Sequence, residues 1–206
     1  MIRLALTPAV IVATLATGGC TSPNETDPAG TVKPATELVF LRLPAGAPPL
    51  FNDSVAFYAR TTAESEGSIY FQQSNGEKGE RFARLRIRSG GLFQRADGST
   101  IGANDSILIV MKIVTPNELS LELRPSGLKF NPQLPAELKL EYEETGGDLN
   151  GDGRRDERDD AIEQKLAIWR QENPGDPLVK IGTVKTEDLR ELEAKLTSFS
   201  RYFIAY

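Results

Sequence analysis

The chain has no histidine and, among its 206 residues, a single cysteine and a single tryptophan. Without histidine it lacks the commonest general base, the Ser-His and Cys-His nucleophile pairs and most zinc sites. Catalysis would have to come from carboxylates, lysines or a metal, and the expectation is a protein that is not an enzyme. With Cys20 alone, no intramolecular disulfide can form, so stability must come from a core. Positive charge is also in deficit: 24 Lys and Arg face 29 Asp and Glu, for a net charge of -5. That balance argues against a nucleic-acid partner. Long apolar runs are missing too. The longest, Leu4 to Leu15, is shorter than the ~20 residues a membrane-spanning helix needs.

What the amino terminus does have is the layout of a secretory signal. Residues 1–19 hold Arg3, the apolar run and small residues ahead of Cys20. Thr17-Gly18-Gly19-Cys20 resembles the lipobox of bacterial lipoproteins, in which the cysteine becomes the first mature residue and carries lipid. Thr17 stands where a leucine is usual, and Leu15 lies two residues earlier. Thr21 after the cysteine resembles lipoproteins sorted to an outer membrane. Residues 20–36 contain Pro23, Pro28 and Pro34 and hardly any large apolar side chain, and read as a flexible tether. The expectation is an exported protein held on the cell envelope by lipid on Cys20.

Residues 37–206 suit one domain with a sizeable core. Period-two alternation dominates, with Gly, Pro, Asn and Asp between short runs. It predicts strands at 38–43, 54–61, 68–72, 82–88, 107–114, 118–124, 138–142, 165–170, 178–184 and 199–206. In Leu119, Leu121 and Leu123 the apolar residues alternate with Ser120 and Glu122, as one buried face demands. So many short strands imply an all-β fold, an antiparallel β-sandwich in which one sheet covers the other.

The stretch with the most specific chemistry runs from Asp148 to Asp159. It resembles the twelve-residue calcium loop of EF-hands, whose oxygen ligands come from positions one, three, five, seven, nine and twelve, with glycine at six for the turn. Here those positions are Asp148, Asn150, Asp152, the Arg154 carbonyl, Asp156 and Asp159, and Gly153 turns. Four carboxylates this close repel one another unless a cation intervenes. The alternative is a solvated acidic turn compensated by Arg154, Arg155 and Arg158. Position eight is Arg155 rather than the aliphatic residue that pairs with a second loop. Asp159 in place of glutamate at position twelve is similar to bacterial dockerins, which carry two such loops where this chain has one. The reading is one calcium loop grafted between two strands, with a helical turn over 156–162, acting as a staple and not as a sensor.

Three further stretches, taken together, resemble the β-sandwich domain of ankyrins, netrin receptors and the zona occludens protein. They are Gly90-Gly91-Leu92 with Asp97-Gly98-Ser99-Thr100-Ile101, then Arg124-Pro125-Ser126-Gly127-Leu128-Lys129-Phe130, and the closing Thr197-Ser198-Phe199-Ser200-Arg201-Tyr202. Ser198 stands where a histidine commonly precedes Phe-Ser in that family. The resemblance covers residues 90–206 and implies a binding or structural module. It also bears on 187–196, where Leu189, Leu192 and Leu196 have helical spacing while Leu192, Ala194 and Leu196 alternate. Local propensity favours a helix there; the resemblance implies a strand.

Other candidates rank lower. Ser126-Gly127-Leu128-Lys129 matches a Ser-x-x-Lys pattern, but Pro125 and Gly127 make a turn where that chemistry needs a helix. Arg84, Arg86 and Arg88 form a basic stripe suited to anionic glycans or lipid headgroups, or to glutamates across a sheet. Trp169, Tyr58, Tyr70 and Tyr142 offer rings for sugar stacking, or core. The combined expectation is a non-enzymatic, calcium-stabilised β-sandwich lipoprotein with an unidentified protein or glycan partner. A calcium-dependent carbohydrate-binding or adhesion module is the first alternative. A metal-dependent hydrolase is the second, and it would need another carboxylate cluster that the sequence does not contain.

Overall fold

The computed structural model describes residues 29–206, so the leader, Cys20 and the first part of the tether lie outside the described residues. The strands are β1 (Val32–Lys33), β2 (Ser54–Arg60), β3 (Ser65–Gln72), β4 (Lys78–Ile87), β5 (Leu92–Gln94), β6 (Ser106–Ile113) and β7 (Ser120–Arg124). They continue with β8 (Lys129–Phe130), β9 (Ala136–Glu141), β10 (Ala167–Gln171), β11 (Leu178–Lys180), β12 (Thr183–Thr186), β13 (Glu191–Leu196) and β14 (Arg201–Ala205). One helix, α1 (Glu157–Lys165), precedes β10. A seven-stranded sheet in the order β1-β11-β10-β14-β7-β6-β2 faces a five-stranded sheet in the order β12-β13-β9-β4-β3, and β5 pairs with β8 separately. All of these pairings are antiparallel, as the alternation predicts.

Alternate residues of each strand enter one core. Ile109, Met111, Leu121, Leu123, Ile168, Tyr202 and Ile204 from the larger sheet meet Ile69, Leu85, Leu138, Leu140, Leu192 and Leu196 from the smaller. Each fully buried side chain of this size contributes about 1.5–3 kcal/mol by leaving water. A second apolar cluster lies on the outer face of the larger sheet, where Leu38 and Phe40 cover Trp169, Leu178 and Phe203. Trp169 is 1% exposed and its Nε1–H donates to the Ala205 carbonyl at 3.2 Å, so it is core.

Several expected elements differ. Part of the expected tether belongs to the sheet: Val32 pairs with Val179 and Lys33 with Leu178, which gives the edge of β11 a partner. The expected strand 38–43 is an extended segment with single bridges from Phe40 to Ala205 and from Arg42 to Glu118, wedged between the ends of β14 and β7. Lys165 closes α1 instead of opening a strand. The expected strand 178–184 is two strands in different sheets, because the chain changes sheets at Ile181–Gly182. There the Thr183 hydroxyl donates to the Ile181 carbonyl at 3.0 Å and accepts from the Ile168 N–H at 3.2 Å. Residues 187–196 resolve into a 3-10 turn, Glu187–Leu189, followed by β13.

That crossover closes one side of the sandwich, and Asn52 closes the other. The segment before β2 runs against β3, with Phe51 N–H donating to Tyr70 O and Gln72 N–H to Pro49 O, both at 2.8 Å. Asn52 Nδ2 donates to Ser54 O at 3.1 Å and Ser68 O at 3.3 Å, while its Oδ1 accepts from Tyr70 N–H at 3.1 Å. Further along, Phe57 packs on Gly67, where a Cβ would meet its ring at 2.4 Å. Asn52→Ala removes three hydrogen bonds, two of which cross this seam, and is expected to lower stability by about 1–2 kcal/mol in denaturant unfolding. An unchanged midpoint would show that the seam holds without it.

Candidate functional site

β9 leads into the site. Beyond it a 3-10 turn, Glu143–Thr145, ends in Gly146 and Gly147, both at positive φ. The buried Thr145 hydroxyl donates to Tyr142 O at 2.7 Å and accepts from Gly147 N–H at 3.3 Å, which fixes where the 148–159 loop starts. The loop is then wound around its first residue. Asp148 Oδ1 accepts from the N–H groups of Gly151 at 2.8 Å and Asp152 at 3.1 Å, and Oδ2 accepts from Gly153 at 2.8 Å. Asn150 Oδ1 accepts from Asp152 N–H at 2.8 Å. Gly153, at φ +83° with open space where a Cβ would stand, makes the bend expected at position six. Leu149 points the other way, into the main core, and fastens the loop to the sandwich.

The second half of the loop becomes the start of α1. Asp156 is the N-cap, its Oδ1 accepting from Arg158 N–H at 2.8 Å, and Asp159 completes the capping box by accepting from Asp156 N–H at 2.8 Å through Oδ2. Asp159 Oδ1 also accepts from Leu149 at 2.8 Å and Asn150 at 3.2 Å. Thus the residue at position twelve is 1% exposed and ties the first half of the loop to the helix. Burial alone would raise its carboxyl pKa, but the backbone N–H groups of Asp156, Leu149 and Asn150 outweigh it and hold the group below its ordinary value.

Arginine supplies the positive charge at the rim. The Arg158 guanidinium lies 2.9 Å from Asp156 Oδ2 and 3.2 Å from Asp152 Oδ2, and it holds the Asp156 carboxyl below its usual range. Arg154 is exposed and its N–H donates to Asp152 Oδ1 at 3.1 Å. Arg155, at position eight, lies across Gly147, where a Cβ would come within 2.9 Å of its Cδ. Its place beside Arg190, in a polar hollow of about 570 Å³ lined also by Glu143, Glu163 and Glu187, explains why no aliphatic residue is needed there. At the far end of α1, Lys185 Nζ donates to the Glu163 carbonyl, a favourable place for a cation. Tyr142 O–H donates to Glu163 Oε1 at 2.9 Å. Burial first, and then that hydrogen bond, pushes the Tyr142 phenol above its ordinary pKa.

The six expected ligand positions therefore share one loop, but their side chains are engaged with backbone N–H groups and Arg158. Among the described residues, no three acidic, cysteine or histidine side chains converge as a ready metal cage. The donor set still fits a hard cation. It offers carboxylates at Asp148, Asp152 and Asp156, an amide at Asn150 and a carbonyl at Arg154, each oxygen with two lone pairs. Asp159 has three of its four lone-pair sites filled by backbone donors.

Of the other sequence candidates, Tyr58 is 65% exposed on β2 and Tyr70 is half-buried on β3, while the rest are engaged within the sandwich. On the outer face of the smaller sheet, Arg86 meets Glu64 at 2.7 Å and Glu137 at 3.5 Å, Arg84 meets Glu66 at 3.8 Å, and Arg88 bonds Glu137. Tyr142, like Trp169, is 1% exposed. Ser126 lies in a turn and Lys129 in β8, with Gly127 at φ +76° and Leu128 N–H donating to Pro125 O at 3.2 Å. Sequence reasoning missed Asn52, for which it offers no signal, and the inward hydrogen bonds of Asp159, for which the Asp-x-x-Asp spacing of a capping box was the available signal. No protein-family model, characterised protein or solved structure matches the chain.

Asp159→Ala leaves the buried N–H of Leu149, and the N–H groups of Asn150 and Asp156, without their acceptor and is expected to cost about 2–3 kcal/mol. Exposed Asp160→Ala should cost much less. Because the folded-state pKa of Asp159 is depressed, its contribution is present above the ordinary value of 3.8 and is lost as pH falls through the folded value. The stability gap between wild type and Asp159→Asn should accordingly narrow below that pH in urea titrations. A gap independent of pH would contradict the assignment.

Proposed function

We propose that this chain is an envelope-anchored lipoprotein, a calcium-stabilised β-sandwich that works as a binding or structural module and not as an enzyme. The observation that carries the reading is the winding of 148–153 around Asp148, which turns three successive N–H groups onto one carboxylate. Asp148, Asn150, Asp152, Asp156, Asp159 and the Arg154 carbonyl would hold calcium, which supplies two positive charges at one point where the guanidinium of Arg158 supplies one. The chain's own part is to position these oxygens. Leu149 anchors the loop in the core, Asp159 clamps it to α1, and Arg158 keeps Asp152 and Asp156 compensated.

A staple, not a sensor, follows from the flanking elements. The loop joins strand β9 to a nine-residue helix that feeds β10, so there is no helix pair to open. The three stretches that resemble the ankyrin, netrin-receptor and zona occludens domain touch: Leu92 pairs with Phe130, Asn131 N–H donates to Gly91 O at 2.8 Å, and the Phe130 and Phe199 rings lie 4.9 Å apart. Of the four rings offered for a glycan-binding face, Trp169 and Tyr142 are buried, Tyr70 is half-buried beneath Lys78, and Tyr58 is exposed on β2.

If calcium binds only the folded form, stability rises by about 2.7 kcal/mol at a hundredfold excess over Kd. Thermal melts should show an increase that chelator reverses and that Asp148→Ala or Asp152→Ala abolishes; identical melts with calcium and with chelator would rule out the staple. For the anchor, mass spectrometry of the mature amino terminus should find acylated Cys20, and an unmodified start at another residue would refute it.

A further inference from the structure

The end of the sandwich that carries the 148–159 loop also carries two other features. The chain enters the described fold there, since Gly30 N–H donates to Lys180 O at 2.8 Å and Lys180 lies at the end of β11 nearest the start of β10. On the opposite side of the same end, the segment Leu43 to Phe51 connects the wedge at 39–42 to β2. Its placement follows from register: Leu43 N–H donates to Asn117 O, just before β7, and Ser54 pairs with Lys112 at the end of β6.

This segment reads Leu-Pro-Ala-Gly-Ala-Pro-Pro-Leu-Phe and has no charged or hydrogen-bonding side chain. It borders a hollow of about 960 Å³, and Phe51 is 49% exposed. Its backbone keeps few free donors: Pro44, Pro48 and Pro49 have no N–H, and the N–H groups of Leu43, Ala47 and Phe51 donate to carbonyls, which leaves those of Ala45, Gly46 and Leu50 to water or headgroups. A segment with apolar side chains and so few free donors can rest at the headgroup level of a lipid interface, where water still reaches it.

We propose that this end faces the bilayer and that Leu43 to Phe51 rests in its interface; this inference builds on the reading of Cys20 as the lipid anchor. The length and exit point of the tether select that occupant. From Cys20 to Ala29 there are nine peptide steps, a reach of about 30 Å when fully extended. Eight-residue strands such as β3 and β6 run about 26 Å, so bringing the opposite end to the membrane would use nearly the whole reach along the side of the domain. A short tether leaving from this end instead keeps it at high effective concentration beside the lipid. Seven strands about 4.8 Å apart span roughly 29 Å from β1 to β2, so the anchored edge and the apolar segment together define a flat contact. The 43–51 segment is apolar, while the 148–159 loop at the same end carries five carboxylates and three arginines, so added salt should not release the segment from the interface.

The sole cysteine makes the orientation testable apart from native acylation. The chain from Cys20 onward, which contains every described residue, is coupled through its thiol to maleimide phospholipid. The vesicles are of phosphatidylethanolamine, phosphatidylglycerol and brominated phosphatidylcholine. Trp169 is buried and gives a constant background. Phe51→Trp, and Ala45→Trp as a second probe should the first fail to fold, are expected to lose about half of their added emission to bromine at interfacial depth, in low and high salt alike. Phe93→Trp is the control, because Phe93 is 53% exposed but lies in β5 at the opposite end, and it should lose none. Equal quenching at both ends, quenching of Phe93→Trp alone, or none at either overturns the orientation. A Cys20 found unacylated in cells overturns the anchor and leaves the vesicle result standing.

Discussion

Two sheets share one apolar interior, and every feature of the molecule is hung from that shared burial. The interior is supplied by alternate residues of strands from both layers, with Leu149 and Leu166 reaching in from the β9–β10 connection. It also depends on the two sides staying shut, because a sandwich that parts at its flanks admits water to that interior. Here the closures use different means. On one side the chain itself passes from one sheet to the other, held by the Thr183 hydroxyl, and on the other the side chain of Asn52 bridges carbonyls of β2 and β3.

Charge is arranged on the same plan of internal compensation. Glu137 and Glu191 are nearly buried on the outer face of the smaller sheet, yet each is met by cations, Glu137 by Arg86 and Arg88 and Glu191 by Lys139. Such exposed or half-exposed pairs add little stability singly, but together they decide which strands lie side by side. In the 148–159 loop the same principle meets a denser set of carboxylates. Backbone N–H groups fill about half of the side-chain acceptor sites there, and Arg158 lies against Asp152 and Asp156.

Alternation made most of the strands legible, since a half-buried strand advertises its face at period two. β7 and β9 lie within a residue or two of the ranges that Leu119 to Leu123 and Leu138 to Tyr142 imply. The short elements were illegible for a physical reason: β1, β5 and β8 are two or three residues long, too few for any period to register. The split of 178–184 was marked in the sequence only by Gly182, one turn residue inside an otherwise alternating run, and the positions of the two sheets show that the chain turns there. At the candidate site, the ligand-like spacing and the glycine bend could be read directly. Asp159 was legible as the residue at position twelve from its type and spacing; its hydrogen bonds to the backbone of Leu149, Asn150 and Asp156 arise from α1 starting one residue after Asp156.

The closed flanks have a consequence for crowding. Molecules confined to a membrane surface meet one another far more often than the same molecules free in solution, and an open strand edge would turn those meetings into sheet-to-sheet joining. β1 and β12 have two and four residues, whereas the other terminal strands, β2 and β3, have seven and eight and lie against each other at the seam that Asn52 bridges. Were the domain displayed as proposed, that seam is where a neighbour would find the longest strand edges, and Asn52 would guard against joining as well as against opening.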